Sequence, residues 1–239
     1  MRNRSRASLN AVFGWNAQAW GRPFLRALDS LELPESYKVL EVGAGPRSAI
    51  SLLIGSPTGI TTISTYPEHQ VPLVNSFVEQ HSELVAGTVE VILMSAFDLQ
   101  GKYDIIVMKS VLGGLFRIGN SQAKDVDEFC KKVIQRNLVP GGFLVTLDNG
   151  ATSLENKLHR FGARRNRWRF FSPEDFHDFY AQECFGWLSA FSVRTRLGDR
   201  IGVPFESFLY QIDKVRWAIK PSKHPSVIVT IFKSSTPRV

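Results

Sequence analysis

Two glycines separated by one residue, Gly43 and Gly45, follow directly on the apolar run Val39-Leu40-Glu41-Val42. Glycine has no Cβ and tolerates positive φ, so such a turn lets the backbone come close to a bound molecule. Glu41 stands inside the apolar run, where a carboxylate can receive a ligand's ammonium group. The third glycine of a dinucleotide-phosphate loop is missing, which points away from a dinucleotide. A purely structural turn is the competing reading. A second group of candidates closes later apolar runs. Lys109 follows Ile105-Ile106-Val107-Met108, Asp148 and Asn149 follow Phe143-Leu144-Val145-Thr146-Leu147, and His159 lies in a basic segment beyond. Asp148 and His159 are the candidates for taking a proton from an alcohol, a step that contributes about 100-fold or more in rate. A capping or core role for Asp148, and a solvated position for His159, compete with that reading.

These residues need elements to carry them. Apolar runs at 38–42, 89–94, 103–108 and 143–147, and the threonine-rich 61–65, read as strands, and amphipathic stretches at 46–54, 67–83 and 122–137 read as helices between them. Strands alternating with helices predict a mostly parallel sheet. Pro140-Gly141-Gly142 breaks the chain before the fifth strand. Beyond Asn149, Ser172-Pro173-Glu174-Asp175 starts a further helix, and 187–196 and 226–233 read as two more strands. Phe205, Phe208, Leu209, Ile212, Val215 and Ile219 recur at helical spacing, predicting an amphipathic helix over 204–220 between those strands. Phe13, Trp15, Trp20 and Phe24 precede the first strand.

With 239 residues and 44% apolar content, the chain suits one sizeable core. No apolar run approaches the roughly 20 residues of a membrane span. The basic N-terminus lacks the apolar stretch of a signal peptide, so a cytoplasmic location is expected. Cys130 and Cys184 are expected as reduced, buried thiols. The 29 basic and 22 acidic residues give a net charge of +7. Lys157, Arg160, Arg164, Arg165, Arg167 and Arg169 stand together with no acid among them, so the sequence predicts either an anionic partner or a solvated positive face.

Val39-Leu40-Glu41-Val42-Gly43-Ala44-Gly45 resembles the first motif of the class I S-adenosylmethionine-dependent methyltransferases. Val89-Glu90-Val91-Ile92-Leu93-Met94-Ser95-Ala96-Phe97-Asp98-Leu99 resembles the segment those enzymes lay against adenine. Tyr103-Asp104-Ile105-Ile106-Val107-Met108-Lys109-Ser110 and Leu138-Val139-Pro140-Gly141-Gly142-Phe143-Leu144 resemble their fourth-strand and fifth-strand motifs. The four motifs fall in the right order across residues 37–149. The resemblance implies an α/β fold: a Rossmann-like sheet of seven strands with helices on both faces and an extra helix between the last two strands. It implies an N-terminal lid or helical segment at 1–36 and a methyltransferase domain at 37–239, with substrate-side insertions at 150–225. It further implies S-adenosyl-L-methionine as cofactor, with Glu41, Gly43, Ala44 and Gly45 at its methionine portion, Ala96 and Phe97 lining the adenine pocket, and Lys109 closing the site. Two positions depart from the family. Ser64 stands where an acid usually grips both ribose hydroxyls, and one hydroxyl cannot make that bidentate charged pair. Ser95 stands where an Asp often meets the adenine amino group. Glu68 and Asp98 are the nearby acids.

Asp148-Asn149 also resembles a pair found in metal-dependent catechol-type O-methyltransferases, but Lys109 occupies the place of their third acid, and a cation there repels a dication. No metal is expected. The Asn-Pro-Pro-Tyr-like motif of nucleic-acid amino-methyltransferases is replaced by Met108-Lys109-Ser110-Val111, which ranks nucleic acid behind a small molecule as a partner. Lys109-Ser110-Val111-Leu112-Gly113-Gly114-Leu115, with Asp148-Asn149, Leu158-His159-Arg160 and Trp168-Arg169-Phe170, resembles bacterial methyltransferases of surface-polysaccharide biosynthesis. That narrower resemblance implies O-methylation of a small-molecule or saccharide hydroxyl. The acceptor would be anionic, on a nucleotide or a lipid-linked diphosphate, which leaves peripheral membrane contact open. A non-catalytic protein of the same fold that binds an anionic partner, and an RNA methyltransferase, are the alternatives.

Overall fold

β1 (Val39–Val42) is buried along its whole length, Glu41 included, as a strand must be when strands flank it and helices cover both faces. It pairs in parallel with β2 (Ile60–Thr65) on one side and β4 (Tyr103–Lys109) on the other. β3 (Thr88–Leu93) continues the sheet in parallel beyond β2, and β5 (Leu138–Asn149) does so beyond β4. β7 (Val227–Lys233) then runs antiparallel between β5 and β6 (Ala181–Trp187). The order β3-β2-β1-β4-β5-β7-β6 reverses its direction of growth between β1 and β4. Such a switch point opens a crevice at the C-terminal ends of the strands, where ligands of open α/β sheets bind. The computed structural model describes residues 6–13, 17–117, 123–150, 168–171, 181–187 and 227–234.

Because successive strand residues point to opposite faces, each strand feeds two cores. On one face Val39, Ile63, Val107, Val145 and Val229 meet α1 (Arg6–Phe13), α2 (Ala17–Asp29) and α3 (Val71–Gln80). On the other, Leu40, Met108, Leu144 and Ile228 meet α4 (Leu112–Leu115) and Phe129, Cys130 and Val133 of α5 (Ala123–Asn137). The N-terminal aromatics belong to the first core: Phe13, Trp20 and Phe24 are fully buried, and Ala49 N–H donates to Val12 O at 3.0 Å. The segment expected as a lid is therefore a covering layer of the sheet; Trp15 lies outside the described residues. Cys130 is a free, buried thiol, and burial together with the nearby Asp148 pushes its pKa well up.

Several boundaries differ from the sequence reading. The expected helix at 46–54 is replaced by a turn and a single 3-10 helix, Ile50–Leu53. Glu41 takes the first free amides there, and β2 begins too soon for a longer helix. The helix expected at 67–83 is α3 flanked by two 3-10 turns. Pro140-Gly141-Gly142 appears as a register shift, with Tyr103 opposite Leu138 and then Ile105 opposite Phe143. β6 precedes the stretch expected at 187–196; as an edge strand that, among the described residues, pairs with β7 alone, it tolerates Gln182, Glu183 and Gly186, which weaken its pattern. The helices expected after Ser172 and over 204–220, the remainder of 187–196, and most of the basic run lie outside the described residues. No described helix is long and apolar enough to cross a membrane.

Candidate cofactor and acceptor site

Val42 pairs with Met108, so the chain leaves β1 at Gly43 beside the end of β4. Gly43 adopts φ 72°, a left-handed value that strains any residue carrying a Cβ. A Cβ there would lie 3.0 Å from Val111 Cγ2, whereas one on Gly45 would meet no described atom within 4 Å. The turn is anchored from behind. Ala44 N–H donates to Ser64 O at 3.0 Å, and Thr65 Oγ1 donates to Ala44 O at 2.8 Å. Fixed on β2 and open in front of Gly45, this backbone is a preformed edge for a ligand.

Glu41 does not offer its carboxylate to that space. It is 2% exposed, and its two oxygens accept from Ile50 N–H at 3.1 Å, Ser51 N–H at 2.8 Å and Ser51 Oγ at 2.6 Å. The carboxylate expected to receive a ligand's ammonium is thus held by the chain's own amides. Burial raises its pKa, against the lowering effect of those bonds and of Lys109. Ser64, expected at the ribose, is likewise bonded within the sheet. It is fully buried and donates to Glu41 O at 3.1 Å, tying β2 to β1 instead of facing a ribose. Glu68 and Tyr66 are exposed just beyond it.

Lys109 ends β4 on the same face as Glu41. Its ammonium lies 5.8 Å from the Phe13 ring and 5.7 Å from the Trp20 ring, so α1 and α2 reach the site end of the sheet. On the other side, the Ser95 hydroxyl accepts from Phe97 N–H at 3.2 Å and shapes the turn after β3. Phe97 is 62% exposed, and Tyr66 and Leu93 are also strongly exposed at the ends of β2 and β3. Ala96 and Phe97 line a cavity of about 330 Å³, walled by Phe116 and Phe129 and rimmed by Glu128 and Arg136.

Asp148 is 0% exposed, on the α5 face, opposite to Lys109. Its Oδ1 accepts from Gly113 N–H at 3.2 Å, and its Oδ2 has no partner among the described residues. Burial pushes its pKa well above the usual carboxylate range. Asp148 is thus bonded inside the protein, to the amide of Gly113. His159 lies outside the described residues.

Solved structures resemble this chain at low sequence identity. A SAM-dependent methyltransferase of Methanosarcina mazei shares 16% identity across 84% of this chain and 94% of that one, with a TM-score of 0.55. A Thermotoga maritima methyltransferase, described as a possible histamine N-methyltransferase, shares 15% across 91% and 90%, with a TM-score of 0.54. Phosphoethanolamine N-methyltransferase 2 of Haemonchus contortus, in complex with S-adenosyl-L-methionine, shares 9% across 92% of this chain and 53% of that one, at a TM-score of 0.58. The fold is that of the S-adenosylmethionine-dependent methyltransferases. No protein-family profile matches the chain. No curated protein sequence matches it.

Within this methyltransferase fold, some residues at the switch point carried no signal strong enough to be chosen from the sequence. Ser110 has φ 58° immediately after β4, and Val111 packs on Gly43. Gly113 and Gly114 form a flat seat for the Trp168 indole: a Cβ on Gly114 would stand 2.8 Å from Trp168 Cη2, and one on Gly113 would collide with Trp168 Nε1. Arg169 N–H donates to Gly113 O at 3.0 Å, Arg169 Nε to Phe116 O at 2.9 Å, and Phe171 N–H to Asn149 O at 2.8 Å. The short segment 168–171 thus lies across α4 and the end of β5. The pair Gly113-Gly114 was the visible hint of that close approach.

Proposed function

We propose that this protein is an S-adenosylmethionine-dependent methyltransferase that holds its cofactor against the turn Gly43-Ala44-Gly45. The observation that carries the reading is the open space before Gly45, beside a left-handed Gly43, at the switch point of a methyltransferase-fold sheet. The exposed apolar surface of Leu93 and Phe97 continues from it, as a nucleoside base requires. When bound, the cofactor supplies an electrophilic methyl group. The glycine turn holds the methionine portion by backbone, Ala96 and Phe97 cover adenine, Ser95 orders the turn beneath it, and Lys109 brings positive charge to the site end of β4. With Ser64 turned into the sheet, the ribose is held without the usual acid at that position. The donors present fit the methionine and adenine ends and depart from the family pattern at the ribose.

The acceptor is a hydroxyl of a small molecule or sugar, and the basic run around Arg164 and Arg165 binds its phosphate. The two comparison proteins named for their acceptors are N-methyltransferases, so an amine is the competing acceptor. The protein works in the cytoplasm. Isothermal titration with S-adenosylmethionine and S-adenosylhomocysteine tests the reading: micromolar binding of both supports it. Absence of binding leaves the second reading, a non-catalytic protein of this fold, which the burial of Ser64 and Glu41 favours.

A further inference from the structure

The turn joining β4 to α4 is held in a conformation that a residue with a Cβ avoids. Ser110 sits at φ 58°, and such outliers persist only where surrounding contacts impose them. Two bonds from consecutive residues of β5 do so here. Ser110 N–H donates to Leu147 O at 2.7 Å, and Gly113 N–H donates to Asp148 Oδ1 at 3.2 Å. One strand end therefore grips the turn at both of its ends. What the turn presents is significant for the site. Val111 Cγ2 lies 3.0 Å from where a Cβ on Gly43 would stand, and the half-buried Ser110 hydroxyl makes no hydrogen bond among the described residues. Gly113 passes the grip onward, since its carbonyl accepts from Arg169 N–H at 3.0 Å.

We propose that Asp148 is a positioning residue: through the Gly113 amide it keeps Ser110 left-handed, and this sets Ser110 and Val111 against the front of the Gly43 turn. The grip follows from the geometry alone; its consequence for cofactor binding rests on the proposed function above. The hydrogen-bond role needs an acceptor oxygen and no negative charge. An amide side chain offers such an oxygen and should serve equally well.

The test uses the full chain, with hydrogen exchange over 110–113 and titration with S-adenosylhomocysteine read on the same variants. Asp148→Asn keeps an oxygen for Gly113 and is expected to hold both readouts within about twofold of the parent. Asp148→Ala is expected to speed exchange at Ser110 and Gly113 and to weaken binding, each by about tenfold. Adding Ser110→Gly to Asp148→Ala should restore most of the lost affinity, because glycine takes φ 58° without the grip. A purely space-filling Asp148 would not be rescued by a change at Ser110. Should Asp148→Ala not fold, Asp148→Val fills the space without accepting a bond and takes its place. The proposal is overturned if Asn behaves like Ala, if Ala leaves exchange at 110–113 unchanged, or if Ser110→Gly restores nothing. If the parent chain binds no S-adenosylhomocysteine, the cofactor reading fails, and the exchange comparison still decides the grip.

Discussion

Asp148 shows how a residue's type and its surroundings can point in opposite directions. At the end of a strand it resembles a base, yet its full burial disfavours the charged form. The folded-state pKa lies above the unfolded one, so folding retains a proton that the unfolded chain releases. Stability is therefore lost as pH rises from the ordinary carboxylate range toward the raised value. Asp148→Asn removes this dependence: thermal melts should show the variant gaining on the parent at pH 8 relative to pH 5, and parallel curves would refute the shift. Ser110 makes a second prediction at this scale. Relief of left-handed strain by Ser110→Gly should raise Tm by about 2–4 °C for each kcal/mol recovered, with about 1 kcal/mol expected. A lower Tm would mean that the serine side chain stabilises the turn more than its φ costs.

At the scale of elements, the N-terminal helices are decided by packing. Phe13 and Phe24 meet edge to face at 5.8 Å, inside the same core as β1, β4 and β5. Trp20→Ala should cost about 3–5 kcal/mol of unfolding free energy in a denaturant titration, a change too large for a detachable lid. The helix at 46–54 illustrates the reverse case. Pro46 and the following apolar residues look like a helix start, but Glu41, nine residues before Ile50, takes the amides of Ile50 and Ser51, and a 3-10 turn results. A contact across the β1–β2 connection outweighs a weak local preference, particularly with Ser48 and Ser51 in the segment. β4 and β5 were legible because residues 105–108 and 143–147 are buried and largely apolar. β6 was not, since an edge strand needs no such run.

For the whole molecule, the strand order places its switch point between β1 and β4, with β2 and β3 to one side. The excess of positive charge then suggests what arrives there. Replacing Arg164 and Arg165 with Ala should weaken binding of a phosphorylated acceptor several-fold, measured by titration, and leave S-adenosylhomocysteine affinity unchanged. Equal acceptor affinity in parent and variant would reject the phosphate-holding role.

The sequence by itself determined the order of the first five strands along the chain, the glycine turn at the end of the first, and the seating of Ala96 and Phe97 after the third. These depend on local pattern: apolar runs, backbone freedom at glycine, and short spacing. Tertiary structure alone decided what each polar residue does. Glu41 and Ser64 sit where a ligand would be met, but neighbouring amides and carbonyls of the sheet reach them first. Asp148 is tied to Gly113, 35 residues away in the chain, and the left-handed Ser110 donates to a carbonyl of β5. Residue type states which bonds a side chain can make, and only the packed chain settles which partner claims them.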